Sequence, residues 1–275
     1  MKKNQNIVIL GGDSRQRRLK KVLEAAFKSV TDINDGSEEK ALSSLLKADI
    51  VILPIPFSKD KRLVYTDNSA LEINKSKALQ CLRKDTVVFG GDFTTEDRDF
   101  FEEEGIEYHD MLLNEGFLLE NAYLTAEGAF KLLYMNTEET VFNKNVLITG
   151  YGRISELLSS MLSELKMNVT ICARNEIQLK NAEKKGYGTV RLSELKNLKK
   201  YDFIFNTVPY RIFDVSTLET AEKCTYFELA SAPFGADKDE VIGSGVNFVG
   251  AASLPGRFFP ETSARLIADY ILSFV

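Results

Sequence analysis

The stretch Asn145-Val-Leu-Ile-Thr149, followed by Gly150-Tyr151-Gly152-Arg153-Ile154-Ser155, decides the fold of this chain. A short, mostly apolar run leads into two glycines, and apolar residues then recur at helical spacing. This pattern predicts a strand, a tight turn and a helix. Gly150 permits the turn, Gly152 lets a pyrophosphate approach the backbone, and the helix offers N–H donors. Ser155 is small enough to pack the helix against the strand.

The residues after this motif predict further strands of the same sheet. The predicted strands are Asn168–Cys172, Tyr201–Phe205 and Cys224–Leu229. Small or polar residues follow each of them, as in the crevice that parallel sheets form at their carboxyl ends. The predicted cofactor-binding residues are Gly150, Tyr151, Gly152, Arg153, Ile154, Arg174, Asn175, Thr207, Val208, Pro209 and Ala230. The alternative is a doubly wound domain whose glycine turn binds nothing.

The end of the second strand favours NADP as the cofactor. An NAD site usually carries an acid about 20 residues past the first glycine, where it binds the ribose 2′-hydroxyl. Here the chain has Ala173, Arg174 and Asn175. Arg174 could hold a 2′-phosphate in its forked guanidinium, and Asn175 could add a hydrogen bond. The alternative is that Arg174 only points into solvent.

The first part of the chain predicts a second parallel sheet. Strands are predicted at Asn6–Leu10, Ala48–Leu53, Thr86–Phe89 and Ile106–Tyr108. One helix is predicted after the first strand, extending to Phe27, and another is predicted over Thr95–Glu104. Gly11-Gly12 also follows a strand, but Asp13 would repel a pyrophosphate and is expected to cap the helix. Gly90-Gly91-Asp92 could lie beside it at one rim of the sheet, or both could be simple turns. Residues 58–76 are expected to form an irregular loop.

These elements predict an α/β protein with two doubly wound parallel-sheet domains, the second a Rossmann NAD(P)-binding domain. The first domain is placed at residues 1–120, on the substrate side. The second is placed at residues 121–275 and begins with an interdomain helix. A C-terminal amphipathic helix at 260–275 could pack back on the first domain.

The composition restricts the class of protein and its partners. The 275 residues are 44% hydrophobic and 27% charged, with a net charge of −5, which argues against a nucleic-acid partner. Arg15, Arg17 and Arg18 are expected on a solvated helix face. Cys81, Cys172 and Cys224 suggest neither disulfides nor a metal site. With no long apolar segment, no membrane span is expected and a cytoplasmic location is predicted.

A set of motifs resembles the family of dipicolinate synthase A subunits along nearly the whole chain. In order they are Gly11-Gly12-Asp13-Ser14-Arg15-Gln16, Thr125-Ala-Glu127-Gly-Ala129, Gly150-Tyr-Gly152-Arg153, Ala230-Ser231-x-Pro233, Leu254-Pro255-Gly256 and Pro260-Glu-Thr262. The two-domain layout also resembles D-2-hydroxyacid dehydrogenases. The chain departs from the family pattern at Ser155, Leu124, Phe234, Glu261 and the bulky Arg257-Phe258-Phe259.

The resemblance implies NADP-dependent oxidation of a dihydrodipicolinate-type ring to pyridine-2,6-dicarboxylate during sporulation. It also implies that the partner is a flavoprotein-like B subunit of dipicolinate synthase, and that the location is the mother-cell cytoplasm of a spore former. A homo-oligomer is left open.

The reaction needs a base and cations for two substrate carboxylates. Glu127 is the leading candidate for the base, Arg15 and Arg257 for carboxylate clamps, and Thr125 for an added hydroxyl. Glu127 could instead be a surface or capping carboxylate. The sole histidine, His109, stands beside Asp110, and that pair could be catalytic or structural.

Two other functions are open at this point. A D-2-hydroxyacid dehydrogenase acting alone usually has a histidine toward its C-terminal part, and this chain has none after His109. A non-catalytic, NADP-binding regulatory subunit would bind the cofactor without turnover.

Overall fold

The computed structural model describes residues 3–221 and 223–275, which divide into two compact units. The first unit extends through Asn121 and includes Gly256–Val275, and the second is Ala122–Pro255. The division falls within helix α5 (Glu115–Met135). Each unit contains one parallel sheet flanked by helices. The predicted fold class is confirmed.

The first unit contains a five-stranded sheet among its described residues, in the order β2-β1-β3-β4-β5. All neighbouring strands are parallel. The elements are β1 (Lys3–Leu10), α1 (Ser14–Leu23), β2 (Phe27–Ile33), α2 (Glu38–Leu45), β3 (Ile50–Ile52), α3 (Lys75–Gln80), β4 (Val87–Gly90), α4 (Thr95–Glu104) and β5 (Glu107–Asp110). This is the flavodoxin-like strand order.

The alternation of side chains along β1 explains why helices cover both faces of this sheet. Ile7 and Ile9 face a core that includes Leu19 and Leu23 of α1. Val8 and Leu10 face the other side, where α2, α3 and α4 contribute apolar side chains. The C-terminal helix α11 (Pro260–Leu272) completes the first of these cores with four buried residues, namely Ala264, Ile267, Ala268 and Ile271.

The second unit contains a six-stranded sheet among its described residues, in the order β11-β10-β9-β6-β7-β8. The elements are β6 (Asn145–Thr149), α6 (Arg153–Glu164), β7 (Asn168–Ala173), α7 (Glu176–Lys184), β8 (Gly188–Arg191), β9 (Phe203–Asn206), α8 (Val215–Leu218), β10 (Thr225–Glu228), α9 (Lys238–Gly243), β11 (Asn247–Gly250) and α10 (Leu254–Phe258). Counted within the unit, this is the Rossmann order 6-5-4-1-2-3, whose chain reversal between β6 and β9 marks a ligand crevice.

The sequence reading missed three strands, and all three are sheet edges. The strand β2, which the prediction partly absorbed into a helix, ends the first sheet, while β8 and β11 end the second. Most residues of these strands are half-buried or exposed. An edge strand pairs on one side only and therefore lacks the continuous apolar run that revealed the central strands.

Candidate functional site

The glycine turn after β6 has the geometry expected of its sequence. Gly150 has φ +81°, in the left-handed region that favours glycine. A Cβ at Gly150 would lie 2.9 Å from both Thr207 Oγ1 and Val208 Cγ2. The protein's own backbone and packing therefore require glycine at position 150.

Gly152 is different, because no described part of the chain requires a glycine at this position. Its φ is −105° and its ψ is −169°, an extended conformation open to any residue. A Cβ built there meets no atom of residues 3–221 or 223–275 within 4 Å. Gly152 is also the N-cap of α6, and no side-chain hydrogen bond caps this helix. The space beside the helix N-terminus is therefore open to an anion.

The corresponding turn in the first unit is filled by the protein itself. The Gly12 N–H donates to Tyr65 O at 2.7 Å. The Asp13 carboxylate accepts from the Arg15 N–H at 3.0 Å, and Gln16 Oε1 accepts from the Asp13 N–H at 3.0 Å. This capping box occupies the donors that would otherwise bind a phosphate. The geometry agrees with the interpretation that this turn is not a second dinucleotide site.

A cavity of about 310 Å³ in the second unit lies at the carboxyl ends of β6, β7 and β9. It brings together eight of the predicted cofactor-binding residues: Gly150, Tyr151, Gly152, Arg174, Asn175, Thr207, Val208 and Pro209. Arg153, Ile154 and Ala230 are not among its lining residues. Six other residues that line the cavity are not among the predicted cofactor-binding residues, although the sequence had placed Ala173 at the end of the second strand: Thr149, Cys172, Ala173, Gln178, Leu192 and Ile212. Apart from Gln178 on α7, they lie at strand ends or in the segments that follow strands, so a wider window around each strand end could have found them.

Cys172 lines this cavity but is 1% exposed. Burial raises the pKa of the Cys172 thiol to about 12. The thiol is therefore protonated near neutral pH and serves as packing rather than as a nucleophile.

Arg174 and Asn175 stand where the sequence placed them, at the end of β7. The Arg174 guanidinium lies 5.2 Å from the centre of the Tyr210 ring, a cation–π contact that no sequence pattern indicated. Asn175 Oδ1 accepts from the Ile177 N–H at 2.8 Å and from the Gln178 N–H at 3.4 Å, which makes Asn175 the N-cap of α7. Only its amide N–H groups are therefore suited to bind a phosphate.

Ser155 packs α6 against the sheet, the role expected of a small residue at this position. It is fully buried, and its hydroxyl lies 2.8 Å from Thr207 Oγ1. Since the Thr207 hydroxyl donates to Thr149 O at 2.7 Å, its one proton is used and Ser155 must be the donor. This chain of hydroxyls ties α6 to the loop after β9.

The structure corrects the role of Arg15 as a direct carboxylate clamp. Arg15 is 8% exposed, and its Nε and Nη2 each donate to Asp13 at 2.9 Å. Nη2 also donates to Ile55 O at 2.7 Å. The fork that would bind a substrate carboxylate is already filled by a carboxylate of the chain, so Arg15 orders the start of α1 instead. Of Arg15, Arg17 and Arg18, only the last two are solvated as the sequence predicted.

Arg257 is exposed and directly follows Gly256, which lies against this ion pair. The Ser14 hydroxyl donates to Gly256 O at 2.6 Å, and a Cβ on Gly256 would lie 3.1 Å from Asp13 Oδ2. The Arg257 guanidinium itself lies 4.9 Å from the centre of the Phe258 ring.

Thr125 and Glu127 lie on α5, where Thr125 is buried and Glu127 is half-buried. Residues two apart on a helix point about 200° apart around its axis. The two side chains therefore point to different sides of α5.

The His109–Asp110 pair is not formed. His109 Nε2 lies 3.0 Å from Glu107 Oε1, and the ring stacks on Phe89 with centroids 4.8 Å apart. Asp110 instead accepts from the Leu112 N–H at 2.9 Å and from Arg98 Nη2 at 3.2 Å. The structural alternative for this histidine fits these contacts.

Models of two known domain families each match one part of the chain. Residues 6–112 match the model of the N-terminal domain of the dipicolinate synthase A subunit. Residues 120–222 match the NAD-binding domain of D-isomer specific 2-hydroxyacid dehydrogenases. The resemblance to dipicolinate synthase A subunits is thereby confirmed, and the second domain is of the type that binds a nicotinamide cofactor.

Individual relatives match nearly the full length of the chain. The dipicolinate synthase A subunit of Bacillus subtilis is 23% identical over 96% of this chain and 94% of its own. Its crystal structure has a TM-score of 0.80 and covers 100% of this chain and 96% of the other. The structure of the corresponding subunit from Bacillus halodurans is 22% identical, with a TM-score of 0.81 and coverage of 98% and 97%. A transhydrogenase from Sinorhizobium meliloti is 11% identical, with a TM-score of 0.66 and coverage of 98% and 92%, a likeness of fold.

These matches confirm the predicted enzyme class, an NAD(P)-dependent oxidoreductase. A search of the described residues for a helix long and apolar enough to cross a membrane finds none.

Proposed function

We propose that this protein is the A subunit of a two-subunit dipicolinate synthase that uses NADP. It would oxidise a dihydrodipicolinate-type ring to pyridine-2,6-dicarboxylate in the mother-cell cytoplasm of a sporulating cell. The Bacillus subtilis relative is named as one subunit of a synthase, which supports a second subunit, and for this partner we propose a flavoprotein-like B subunit. The match of residues 6–112 to the N-terminal domain of dipicolinate synthase A subunits carries the proposal, and the cavity beside Gly152 supports its cofactor part.

The residues present fit a dinucleotide. Gly152 leaves the approach to the α6 N-terminus open, so that backbone N–H groups there can hold the pyrophosphate. Gly150 and Tyr151 form the turn that lines one side of the cavity. Thr207, Val208 and Pro209, which follow β9, line another side. Arg153 and Ile154 continue from the turn into the first turn of α6, and Ala230 follows β10 on the same sheet. A bound NADP would supply the hydride acceptor for oxidation of the substrate ring.

Arg174 supports NADP over NAD. It is exposed beside the cavity, and the Tyr210 ring holds its guanidinium by a cation–π contact. No acid occupies the position that binds a ribose 2′-hydroxyl in NAD sites. The next acid in the chain is Glu176, the first residue of α7. Its Oε1 lies 2.9 Å from Arg191 Nη2, and this ion pair partly neutralises its charge. A 2′-phosphate therefore meets a forked cation rather than a carboxylate.

The substrate side rests on chemistry that the chain must supply. Removing a hydride from a dihydropyridine dicarboxylate leaves a ring proton for a base, for which Glu127 is proposed. Two substrate carboxylates need cations or N–H donors, and Arg257 is proposed as one of these. Thr125, which is buried on a different face of α5, is proposed to add a hydroxyl on the substrate side. A hydroxyacid dehydrogenase acting alone is less well supported, because the sole histidine packs against Phe89 and Glu107.

The cofactor proposal is tested by measuring dissociation constants for NADP and NAD. We expect the wild type to prefer NADP by at least about tenfold, which needs about 1.4 kcal/mol of differential binding. Arg174→Ala should weaken NADP and leave NAD nearly unchanged. Lys184→Ala, which removes a cation from the far end of α7, is the matched control and should change neither constant. Equal losses of affinity for NADP and NAD in Arg174→Ala would show that this arginine does not bind the 2′-phosphate.

The reaction is tested by mixing the chain with NADP and a dihydrodipicolinate-type substrate, with and without the proposed partner, and following NADPH. Formation of NADPH together with pyridine-2,6-dicarboxylate supports the proposal. Tight NADP binding without turnover in the presence of the partner would instead indicate a regulatory subunit.

A further inference from the structure

A buried network of polar side chains lies beneath the carboxyl ends of β6, β9 and β10. It contains Thr149, Asn206, Tyr226 and Glu228, which are 1%, 0%, 0% and 3% exposed. Buried polar groups of this kind are costly unless every donor and acceptor is paired. The cofactor residues predicted from the sequence do not include Asn206, Tyr226 or Glu228.

Glu228 is the acceptor at the centre of this network. Its Oε1 accepts from Asn206 Nδ2 and from the Ala230 N–H, at 2.6 Å and 3.0 Å. Its Oε2 accepts from the Tyr226 hydroxyl and from the Gly235 N–H, at 2.8 Å and 2.9 Å. Burial raises the pKa of Glu228, while these four donors favour its ionised form. Two donors on each oxygen match a carboxylate.

Asn206 connects Glu228 to one wall of the cavity. While its Nδ2 donates to Glu228, the same nitrogen donates to Val208 O at 3.0 Å. Its Oδ1 accepts from the Thr149 hydroxyl at 2.6 Å and from the Val208 N–H at 3.2 Å. The amide is therefore fixed in one orientation, and Val208, which lines the cavity, is held at both its N–H and its C=O.

Gly235 connects Glu228 to a second wall. Its N–H donates to Glu228, and its carbonyl accepts from the N–H groups of Ile212 and Phe213 at 2.9 Å and 3.0 Å. Ile212 lines the cavity. A Cβ on Gly235 would collide with Asn206 Nδ2, so the two connections are packed directly against each other.

We propose that Glu228 is a positioning residue that fixes the Val208 and Ile212 walls of the cofactor cavity. The carboxylate is placed to hold the loop after β9 through Asn206 and the loop after β10 through Gly235. The inference rests on the proposed function only in taking this cavity as the NADP site. It assigns a cofactor-binding role to a side chain that does not itself line the cavity.

The chemistry of the network predicts which change breaks it. In Glu228→Gln one oxygen becomes an NH₂ group, which would face an N–H donor on either side. The Tyr226 hydroxyl can turn to accept a hydrogen bond, but the N–H of Gly235 or of Ala230 cannot. The amide variant therefore releases at least one loop at nearly unchanged volume. Tyr226→Phe removes one donor to Glu228 and leaves both wall connections in place.

The test measures the NADP dissociation constant of the full chain for the wild type, Glu228→Gln and Tyr226→Phe. Circular dichroism and cooperative urea unfolding show whether each variant is folded. We expect Glu228→Gln to weaken NADP at least tenfold and Tyr226→Phe to change it less than twofold. If Glu228→Gln does not fold, Asn206→Ala, which removes the link to Val208, is measured in its place with the same expectation.

The outcomes separate this inference from the proposed function. A wild type that does not bind NADP contradicts the proposed function. A wild type that binds NADP, together with a folded Glu228→Gln or Asn206→Ala of wild-type affinity, overturns the positioning role. Equal losses in Glu228→Gln and Tyr226→Phe would also overturn it, because they would show a general effect of disturbing the core.

Discussion

The two glycines of the turn after β6 are expected to respond in opposite ways to the same added methyl group. In Gly152→Ala the new Cβ meets no atom within 4 Å, and the backbone is extended. A lower chain entropy in the unfolded state stabilises by about 0.4–1 kcal/mol. Alanine is a poorer N-cap than glycine, which costs a similar amount. The free energy of unfolding should therefore change by less than about 1 kcal/mol.

Gly150→Ala is expected to destabilise the fold. Its φ of +81° would cost alanine roughly 1–2 kcal/mol. The contacts of 2.9 Å with Thr207 Oγ1 and Val208 Cγ2 add overpacking of about 1–3 kcal/mol. The sum is a loss of about 2–5 kcal/mol, which urea unfolding would measure directly.

The order is expected to be reversed for NADP binding. Relative to the stability that each variant loses, Gly152→Ala should weaken NADP binding more than Gly150→Ala does. The methyl group of Gly152→Ala lies where the pyrophosphate must approach, and the loss of one hydrogen bond to a charged group is about 1.5–3 kcal/mol. This corresponds to a loss of NADP affinity of about 10- to 150-fold. Calorimetric titration of each variant with NADP measures it, and Gly152→Val should lose more.

Gly243→Ala provides the matched control for this experiment. Gly243 is the last residue of α9, and a Cβ there also meets nothing within 4 Å. It does not line the cavity, so its variant should keep both stability and NADP affinity. Wild-type affinity in Gly152→Ala, or a stability loss there as large as in Gly150→Ala, would refute the reasoning that Gly152 is kept open for a ligand.

Two further predictions concern the substrate side and the first unit. Glu127→Gln should lower turnover with substrate and the proposed partner, while the NADP dissociation constant stays unchanged. Glu120→Gln on the same helix is the control. An unchanged rate in Glu127→Gln would exclude this residue as the base. Asp13 is partly desolvated, which raises its pKa, but the hydrogen bonds and charge of Arg15 outweigh this and hold its pKa below the ordinary value of 3.8. The stability that Asp13 contributes should therefore be complete above that value and be lost as the pH falls through the lowered pKa. Asp13→Asn should lower the free energy of unfolding by roughly 3 kcal/mol at neutral pH, because Arg15 loses its partner. This difference from the wild type should shrink below pH 4. A constant difference down to pH 2 would contradict the interpretation of Asp13 and Arg15 as an ion pair.

The local sequence was sufficient to find the turn, the central strands and most of one cavity. Strand β6 and helix α4 begin and end at the residues that the sequence predicted. Eight predicted cofactor residues line one cavity, because residues that follow parallel strands meet at the same edge of the sheet. A short sequence pattern therefore predicted positions in the tertiary structure, because strand ends that are distant in the chain lie side by side in a parallel sheet.

Other features depend on partners that are distant in the chain, and only the tertiary structure decided them. The edge strands β2, β8 and β11 are defined by pairing on one side rather than by an apolar run. The assignment of Arg15 changed because its fork binds Asp13 and the carbonyl of Ile55, 40 residues away. Thr149, Asn206 and Glu228 are 57 and 22 residues apart along the chain, yet they form one buried network. Nothing in the spacing of these residues indicates a partner, because a hydrogen bond between neighbouring strands depends on strand order and register, which the complete sheet determines.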